Sequence, residues 1–131
     1  MISLFCCSGG DGTEKMMVYN QLYLIKRDGS KVLDEAVNFC SSFGMRLPTP
    51  LDHFTNSELT RLGHGSFWLG VWKEQSSGRW IDMYTGEPLL WSYFSEDNSA
   101  GDHAVHVSTN GGMWQTTSKD TSFNTICIHG E

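Results

Sequence analysis

The segment AVNFCSSFGMRLPTP, Ala36–Pro50, decides the fold more than any other, because a helix pattern, a stop and an extended chain follow one another in it. Starting just before this segment, apolar side chains recur at three- and four-residue steps, namely at Val32, Ala36, Phe39 or Cys40, and Phe43. This period predicts a helix over about residues 31–43, with Ser30 as its N-cap and Gly44 as its left-handed stop. Cys40 then lies on the buried stripe of that helix.

A second helix signal follows a few residues later. Thr55 and Glu58 have the spacing of a capping box, in which each side chain hydrogen-bonds the backbone of the other. Phe54 and Leu59 stand where a hydrophobic staple joins the residue before the cap to the second turn. The sequence therefore predicts a second helix that ends at Gly63.

Strand patterns surround these two helices. Residues 18–30, VYNQLYLIKRDGS, predict a first strand that ends in a turn at Asp28 and Gly29. Short β-like segments follow the helices: FWLGVW (67–72), RWIDM (79–83), PLLWSYF (88–94), AVHVS (104–108), MWQTT (113–117) and NTICIH (124–129). Helices followed by strands predict an α+β fold with an antiparallel sheet rather than a parallel βαβ sheet.

Length and charge limit the classes of function. A chain of 131 residues is the size of one domain, and its formal charge of -6 argues against nucleic acid as a partner. The sequence has no run of about 18 apolar residues, so no membrane-spanning segment is predicted. The Gly-rich stretch SGGDGTE (8–14) predicts a flexible leader over residues 1–15, with one domain over residues 16–131.

Four cysteines are present, at positions 6, 7, 40 and 127. An even number in a small acidic chain favours an oxidising compartment, and the lack of CxxC or HxxxH spacing excludes a zinc knuckle. For Cys6 and Cys7 three interpretations stay open: pairing with another chain, a lipid attachment, or an inert terminus.

Two histidines close together raise the question of catalysis. His103 and His106 are separated by an odd step, so on a strand they point to opposite faces and do not share one metal. No nucleophile elbow, phosphate loop or metal-binding helix motif occurs in the sequence. The chain is therefore predicted not to be an enzyme.

In order and spacing these segments resemble the C-type lectin-like domain, from about Tyr19 to the C-terminus. AVNFCSSFGMRLPTP is similar to the family's first helix, FWLGV to its Trp-Ile-Gly-Leu core strand, GRWIDMYTGEPLLWSYF to the next hairpin, and ICI to the last strand. The resemblance implies two helices flanking small antiparallel sheets, a long ligand-binding loop, and a disulfide between Cys40 and Cys127. A second family disulfide is missing, since Ala104 and the region of Lys119 stand where its two cysteines are expected.

Sugar-binding members of the family hold calcium with a Glu-Pro-Asn or Gln-Pro-Asp tripeptide, a nearby acid, and an Asn-Asp pair after a tryptophan. Ca²⁺ takes about six to eight oxygen ligands, and positions that the protein leaves open accept vicinal sugar hydroxyls. Here Glu96, Asp97 and Asn98 stand at the tripeptide and Asp102 at the nearby acid. Because Asp97 replaces the cis proline, its peptide bond is expected to be trans; a non-proline cis bond costs about 2.5 to 4 kcal/mol.

The rest of the calcium set departs further from the family. Gln115 and Thr116 follow Trp114 where Asn-Asp is expected, and Lys73 and Ser77 occupy positions of acidic ligands at the family's auxiliary site. We therefore expect no cofactor. Calcium held through Glu96, Asn98 and Asp102 remains the open alternative.

These comparisons predict a secreted or surface-exposed module that binds a glycan or glycoprotein without the usual calcium site. The ligand-binding residues are expected to be Tyr93, Glu96, Asp97, Asn98, Asp102 and Trp114. The competing interpretation places Trp68, Trp72, Trp80 and Trp114 in the core, and it is preferred for Trp68 and Trp114. Three alternatives stay open: a calcium-independent protein-interaction domain without sugar binding, an ice- or mineral-binding variant, and a homodimer.

Overall fold

The protein is described by a computed structural model over residues 2–4, 13–18, 20–62, 65–95 and 100–129. Two α-helices are present in these ranges, α1 (Leu33–Ser41) and α2 (His53–Leu62). The strands are β1 (Ile2–Leu4), β2 (Thr13–Val18), β3 (Gln21–Lys31), β4 (Met45–Arg46), β5 (Ser66–Lys73), β6 (Trp80–Asp82), β7 (His103–Val107), β8 (Met113–Thr117) and β9 (Phe123–His129). The predicted α+β class with two helices is confirmed.

The described strands join in the order β1-β2-β3-β9-β5-β7-β8, with β4 beside β9 and β6 beside β5. Their pairings are antiparallel except that β5 runs parallel to β9, where Phe67 is the partner of Asn124. The sheet is therefore mixed rather than purely antiparallel. This parallel contact joins the half of the sheet that includes β3 to the half that includes β7 and β8.

The first predicted strand, residues 18–30, corresponds mainly to β3, and only Val18 belongs to β2. The chain turns between β2 and β3, where Asn20 takes a left-handed conformation with φ 67°. Gly29, predicted to lie in the turn, is instead inside β3 with φ 81°, at the register shift between Lys26 and Lys31. A β-bulge needs the freedom of glycine in the same way as a turn does, which is why the sequence pattern was misleading.

Strands also occur within the predicted leader. β1 and the start of β2 fall in residues 1–15, and β1 pairs antiparallel with β2. The boundary at residue 16 stays a prediction. Cys6 and Cys7 lie outside the described residues.

The start of α1 differs from the prediction. The N-cap is Val32, which makes no side-chain capping hydrogen bond, and Ser30 is still part of β3. The strand persists because Lys31 pairs with Phe123 of β9. Pairing across the sheet therefore overrides the local preference of serine for a cap.

The buried stripe of α1 is shifted relative to the predicted one and consists of Leu33, Ala36 and Cys40. Phe43, predicted to be on the stripe, is 48 % exposed, because it lies after the end of the helix. The predicted stop at Gly44 is confirmed by its φ of 70°.

The cap of α2 is Asp52 rather than Thr55. The Asp52 carboxylate accepts a hydrogen bond of 2.8 Å from the Thr55 backbone N–H, and this bond lowers the pKa of Asp52 below its usual value. Phe54 lies inside the helix and Glu58 forms an ion pair of 3.0 Å with Arg61, so the predicted capping box and staple are wrong. The predicted end at Gly63 lies outside the described residues.

The core forms two clusters, and each one includes the buried face of one helix. The α2 cluster includes Leu59, Leu62, Phe67, Leu69, Trp114 and Ile126. The α1 cluster includes Leu24, Leu33, Ala36, Trp68 and the disulfide between Cys40 and Cys127, whose Cα atoms lie 5.5 Å apart. The disulfide implied by the resemblance is thus present in the structure. Trp68 and Trp114 are completely buried, as the competing core interpretation held.

One predicted strand is wrong. Residues 88–94 form only isolated bridges, from Pro88 to Ile81 and from Phe94 to Trp114. Aromatic residues are common in strands, but here their rings pack against one another instead. Over the described part of the chain, no helix is long and apolar enough to cross a membrane.

Candidate functional site

Aromatic side chains line the segment that leads into the predicted ligand-binding loop. The rings of Trp91 and Tyr93 stack with their centroids 5.7 Å apart and their planes 14° apart. His53, at the exposed start of α2, sets its ring edge-on to both, at 6.2 Å from Trp91 and 5.4 Å from Tyr93. We call these three side chains the aromatic platform. Trp91 and Tyr93 are only partly buried, so the platform reaches the surface.

Trp114 supports this platform from the core. It is completely buried, and its ring meets Trp91 edge-on at 5.8 Å. Its indole N–H donates a 2.8 Å hydrogen bond to the side-chain oxygen of Asn56, whose amide group donates in turn to the carbonyl of Gly112 at 2.9 Å. Trp114 is therefore placed to hold the platform in position, and its ring has no surface that a ligand could touch.

His106 continues the buried network below Trp114. Its ring is completely buried and stacks on Phe67 at 4.5 Å. Nε2 lies 3.2 Å from the Thr60 hydroxyl and 3.4 Å from the Asn56 carbonyl oxygen. Burial lowers the pKa of His106 to about 4, so the ring is neutral near pH 7.

His103 lies in different surroundings from His106. Its ring faces Trp72 at 6.1 Å rather than Phe67. Burial is also the main reason why the pKa of His103 lies below its usual value. The two histidines therefore belong to separate parts of the molecule, and their juxtaposition in the sequence defines no shared site.

Protein groups fix the end of the loop. The Asp102 carboxylate accepts a 2.7 Å hydrogen bond from the side-chain amide of Gln75, and its carbonyl accepts one of 2.8 Å from the Lys73 N–H. We call this pair of bonds the Asp102 clamp. Nearby, the Ala100 N–H donates to the Thr116 hydroxyl at 2.9 Å. Gly101 is needed between them, because a Cβ there would collide with the carbonyl of Thr117.

The described part of the family's calcium set does not fit a calcium ion. Asp102 is held by an amide, the Thr116 hydroxyl is engaged by the backbone, and Gln115 is exposed. The backbone carbonyl of Asp102 is likewise occupied, because it accepts a hydrogen bond from the Lys73 N–H. Within the ranges that the structure covers, no group of three or more His, Cys, Asp or Glu side chains could hold a metal. Glu96, Asp97 and Asn98 lie outside those ranges.

A melting experiment tests this misfit. We expect thermal unfolding curves in millimolar calcium and in excess chelator to superimpose. The oxygens of Asp102 that a calcium ion would need already accept hydrogen bonds from Gln75 and Lys73. A micromolar calcium site would instead add about 4 kcal/mol to the free energy of unfolding at millimolar calcium. A calcium-dependent rise in the melting temperature would show that residues 96–99 complete a site that the described residues alone do not form.

Sequence reasoning missed three residues that organise this region. Gln75 and Asn56 act through side-chain amides, and His53 reaches the platform from another element. Gln75 could have been noticed, because it lies between Lys73 and Ser77 in the segment where the family has acidic ligands. Asn56 and His53 depend on how α2 packs, and no local pattern shows that.

The fold and this arrangement of loop and aromatic side chains define a C-type lectin-like domain. The model of the lectin C-type domain family matches residues 29–129, and the chain belongs to that family. No curated protein matches the chain in sequence.

Solved structures with the same fold include domains of different kinds. The mouse scavenger receptor C-type lectin carbohydrate-recognition domain is 18 % identical, with a TM-score of 0.76 over 87 % of this chain and 93 % of that one. Human lithostathine is 14 % identical, with a TM-score of 0.74 over 95 % and 92 %. A calcium-independent type II antifreeze protein is 15 % identical, with a TM-score of 0.76 over 96 % and 95 %. At these identities the likeness shows the fold alone.

Proposed function

We propose that this domain is an extracellular recognition module that binds a glycan or glycoprotein without calcium. Its binding surface is the aromatic platform together with the loop from Tyr93 to Asp102. The aromatic platform carries the proposal, because partly exposed rings beside a polar loop provide both kinds of contact that a sugar needs. Membership of the lectin family and the buried disulfide, which favours an oxidising compartment, support it further.

The chemistry follows from what a sugar ring offers. Its C–H face is apolar and stacks on an aromatic ring, whereas its hydroxyls donate and accept hydrogen bonds. In this proposal Tyr93 provides the ring surface, and Glu96, Asp97 and Asn98 provide acceptors and donors. In this proposal the Asp102 clamp fixes the end of the loop before the ligand arrives, which lowers the cost of ordering it on binding.

A protein partner is the second candidate, and a specific observation favours it. Large apolar side chains are exposed around the platform: Leu51 at 59 %, Phe54 at 57 % and Leu90 at 89 %. Leu51 and Leu90 line one shallow depression, and Phe54 follows His53 of the platform. Contiguous exposed apolar surface is typical of protein interfaces. On this alternative the glycoprotein is recognised through its polypeptide rather than its sugar.

A single substitution tests the role of the platform. We expect Tyr93→Ala to weaken binding of the best glycan by at least about tenfold, equivalent to about 1.4 kcal/mol, because the stacking surface is removed. The glycan is first identified on an array run in chelator, and its affinity is then measured by calorimetry.

Leu90→Ala is the matched control. It removes an exposed apolar side chain next to the platform without changing a ring, so glycan affinity should stay within about twofold, whereas a partner protein should bind more weakly. If Tyr93→Ala binds the glycan as tightly as the unmodified protein, or if binding requires calcium, the proposed function is wrong.

A further inference from the structure

A groove with a volume of 910 Å³ runs between α1 and the segment that joins β5 to β6. Its lining shares no residue with the aromatic platform, and it includes Asp102 and Gln75 of the clamp. This volume is in the range of pockets that bind small ligands, about 300 to 1,000 Å³. The sequence analysis drew no attention to the groove, because its walls come from segments that are far apart in the chain.

The floor of the groove is apolar and two of its rings are accessible. The apolar side chains are Leu33, Val37, Ile81 and Met83. Trp72 is 38 % exposed and Tyr84 is 37 % exposed. The Tyr84 ring has the guanidinium of Arg46 over it, and its hydroxyl accepts a hydrogen bond from the Leu47 N–H. Trp72 is thus the ring that is placed to stack on a ligand.

Charges of both signs line the rim. Lys73 and Lys119 bring two ammonium groups, and Asp34, Glu74 and Asp102 bring three carboxylates. Glu74 and Asp102 already accept hydrogen bonds, from the Ser77 hydroxyl and the Gln75 amide. Because the two signs nearly balance, a charged ligand would lose the hydration of its charge with little net attraction from the rim to offset that loss.

A neutral ligand that both donates and accepts hydrogen bonds has no charge to dehydrate and can bond to groups of both kinds. The ammonium groups are donors and the Asp34 carboxylate is an acceptor. His103 also lines the groove, and its side chain is partly exposed. Because burial holds the pKa of His103 below its usual value, the neutral ring can accept at one nitrogen and donate at the other.

We propose that this groove is a second saccharide site, in which a neutral sugar stacks on Trp72 and bonds its hydroxyls to Asp34, His103 and the two lysines. The inference extends the proposed function, since it would make one domain bivalent for glycans. Bivalent binding to a surface that carries many glycans raises avidity without any new contact.

The test is a nuclear magnetic resonance titration of the ¹⁵N-labelled full chain in chelator. The neutral probes are methyl α-mannoside, methyl β-galactoside and N-acetylglucosamine; glucosamine and glucuronate are the charged comparisons. We expect at least one neutral sugar to shift the indole N–H of Trp72 and the backbone N–H groups of Asn38 and Gln75. Both charged sugars should bind at least about threefold more weakly than N-acetylglucosamine, if that is the sugar bound.

Trp72→Ala should abolish the shifts in the groove and leave those at Tyr93 in place. Leu90→Ala should leave the groove shifts unchanged, and unaltered spectra elsewhere show that each variant is folded. Groove residues that do not shift with any neutral probe, or shifts that persist in Trp72→Ala, overturn the second site. Shifts at Tyr93 alone overturn only the second site, whereas shifts in the groove alone support it and speak against the platform.

Discussion

Removal of the Cys40–Cys127 disulfide is expected to lower the free energy of unfolding by about 4 to 5 kcal/mol. The bridge joins residues that are 87 positions apart, and closing so long a loop removes much of the conformational entropy of the unfolded chain. A domain of this size is typically stable by about 5 to 15 kcal/mol. One covalent bond would therefore account for between about a third and nearly all of the stability of this fold.

The place of the bridge in the core reinforces the expected loss. Both cysteines are completely buried, between α1 and β9, among Leu24, Trp68 and Val105. Replacing them by alanine also removes two buried sulfur atoms, whose space the neighbours fill only in part. Removing the bridge raises the entropy of the unfolded chain and loosens the packing of the folded protein. Both effects lower the free energy of unfolding.

Urea unfolding measures this effect. Both proteins carry Cys6→Ser and Cys7→Ser. The reference keeps the Cys40–Cys127 bridge, and the variant also carries Cys40→Ala and Cys127→Ala, so that only the bridge differs. The same comparison with reductant added to the bridged protein separates the covalent link from the change in packing. Equal midpoints for the bridged and the alanine proteins would show that the link contributes nothing to stability.

The sequence contained the outline of the fold but not the places where elements begin. Periodicity identified α1, and α2 was identified as well. The predicted starts of both helices were wrong. Ser30 and Thr55 are residue types that favour the cap position, but the caps are Val32 and Asp52. For α1 the cap position is set by where β3 stops pairing with β9, and that depends on the partner strand.

The candidate site divides in a similar way. Resemblance directed attention to Tyr93, Asp102 and Trp114, and the structure puts the first at the surface, the second in a clamp and the third in the core. The alternation of residues along β8 could not show that Trp114 faces the core, because its indole N–H bonds to Asn56 from α2, a distant part of the chain. The groove at Trp72 needs α1 and β5 side by side, which only the folded chain shows.

Acid is expected to destabilise the fold through His106. The pKa of a histidine in an unfolded chain is about 6.5, whereas burial lowers that of His106 to about 4 in the folded protein. Between these two values the unfolded state binds the proton more tightly, so stability is fully present above pH 6.5 and is lost as the pH falls towards 4. The difference corresponds to about 3 kcal/mol.

His106→Gln isolates this contribution, because glutamine keeps hydrogen-bonding groups but does not titrate. The free energy of unfolding of both proteins is measured by urea between about pH 7.5 and pH 4. We expect the difference between the two proteins to shrink by about 3 kcal/mol in favour of the variant over that range. His103 contributes in both proteins and cancels, and Asp52, whose pKa lies below its usual value, acts only at lower pH.

A direct titration guards against a variant that does not fold. The ring proton signals of His106 in the unmodified protein should stay those of a neutral imidazole down to about pH 5 and change only near pH 4. The closest groups around the ring are the Thr60 and Ser108 hydroxyls, the Asn56 carbonyl and the Phe67 ring, and none of them is charged.

A measured pKa near 6.5 would mean that the ring is hydrated. Parallel stability profiles for the two proteins would mean that protonation of His106 does not oppose folding.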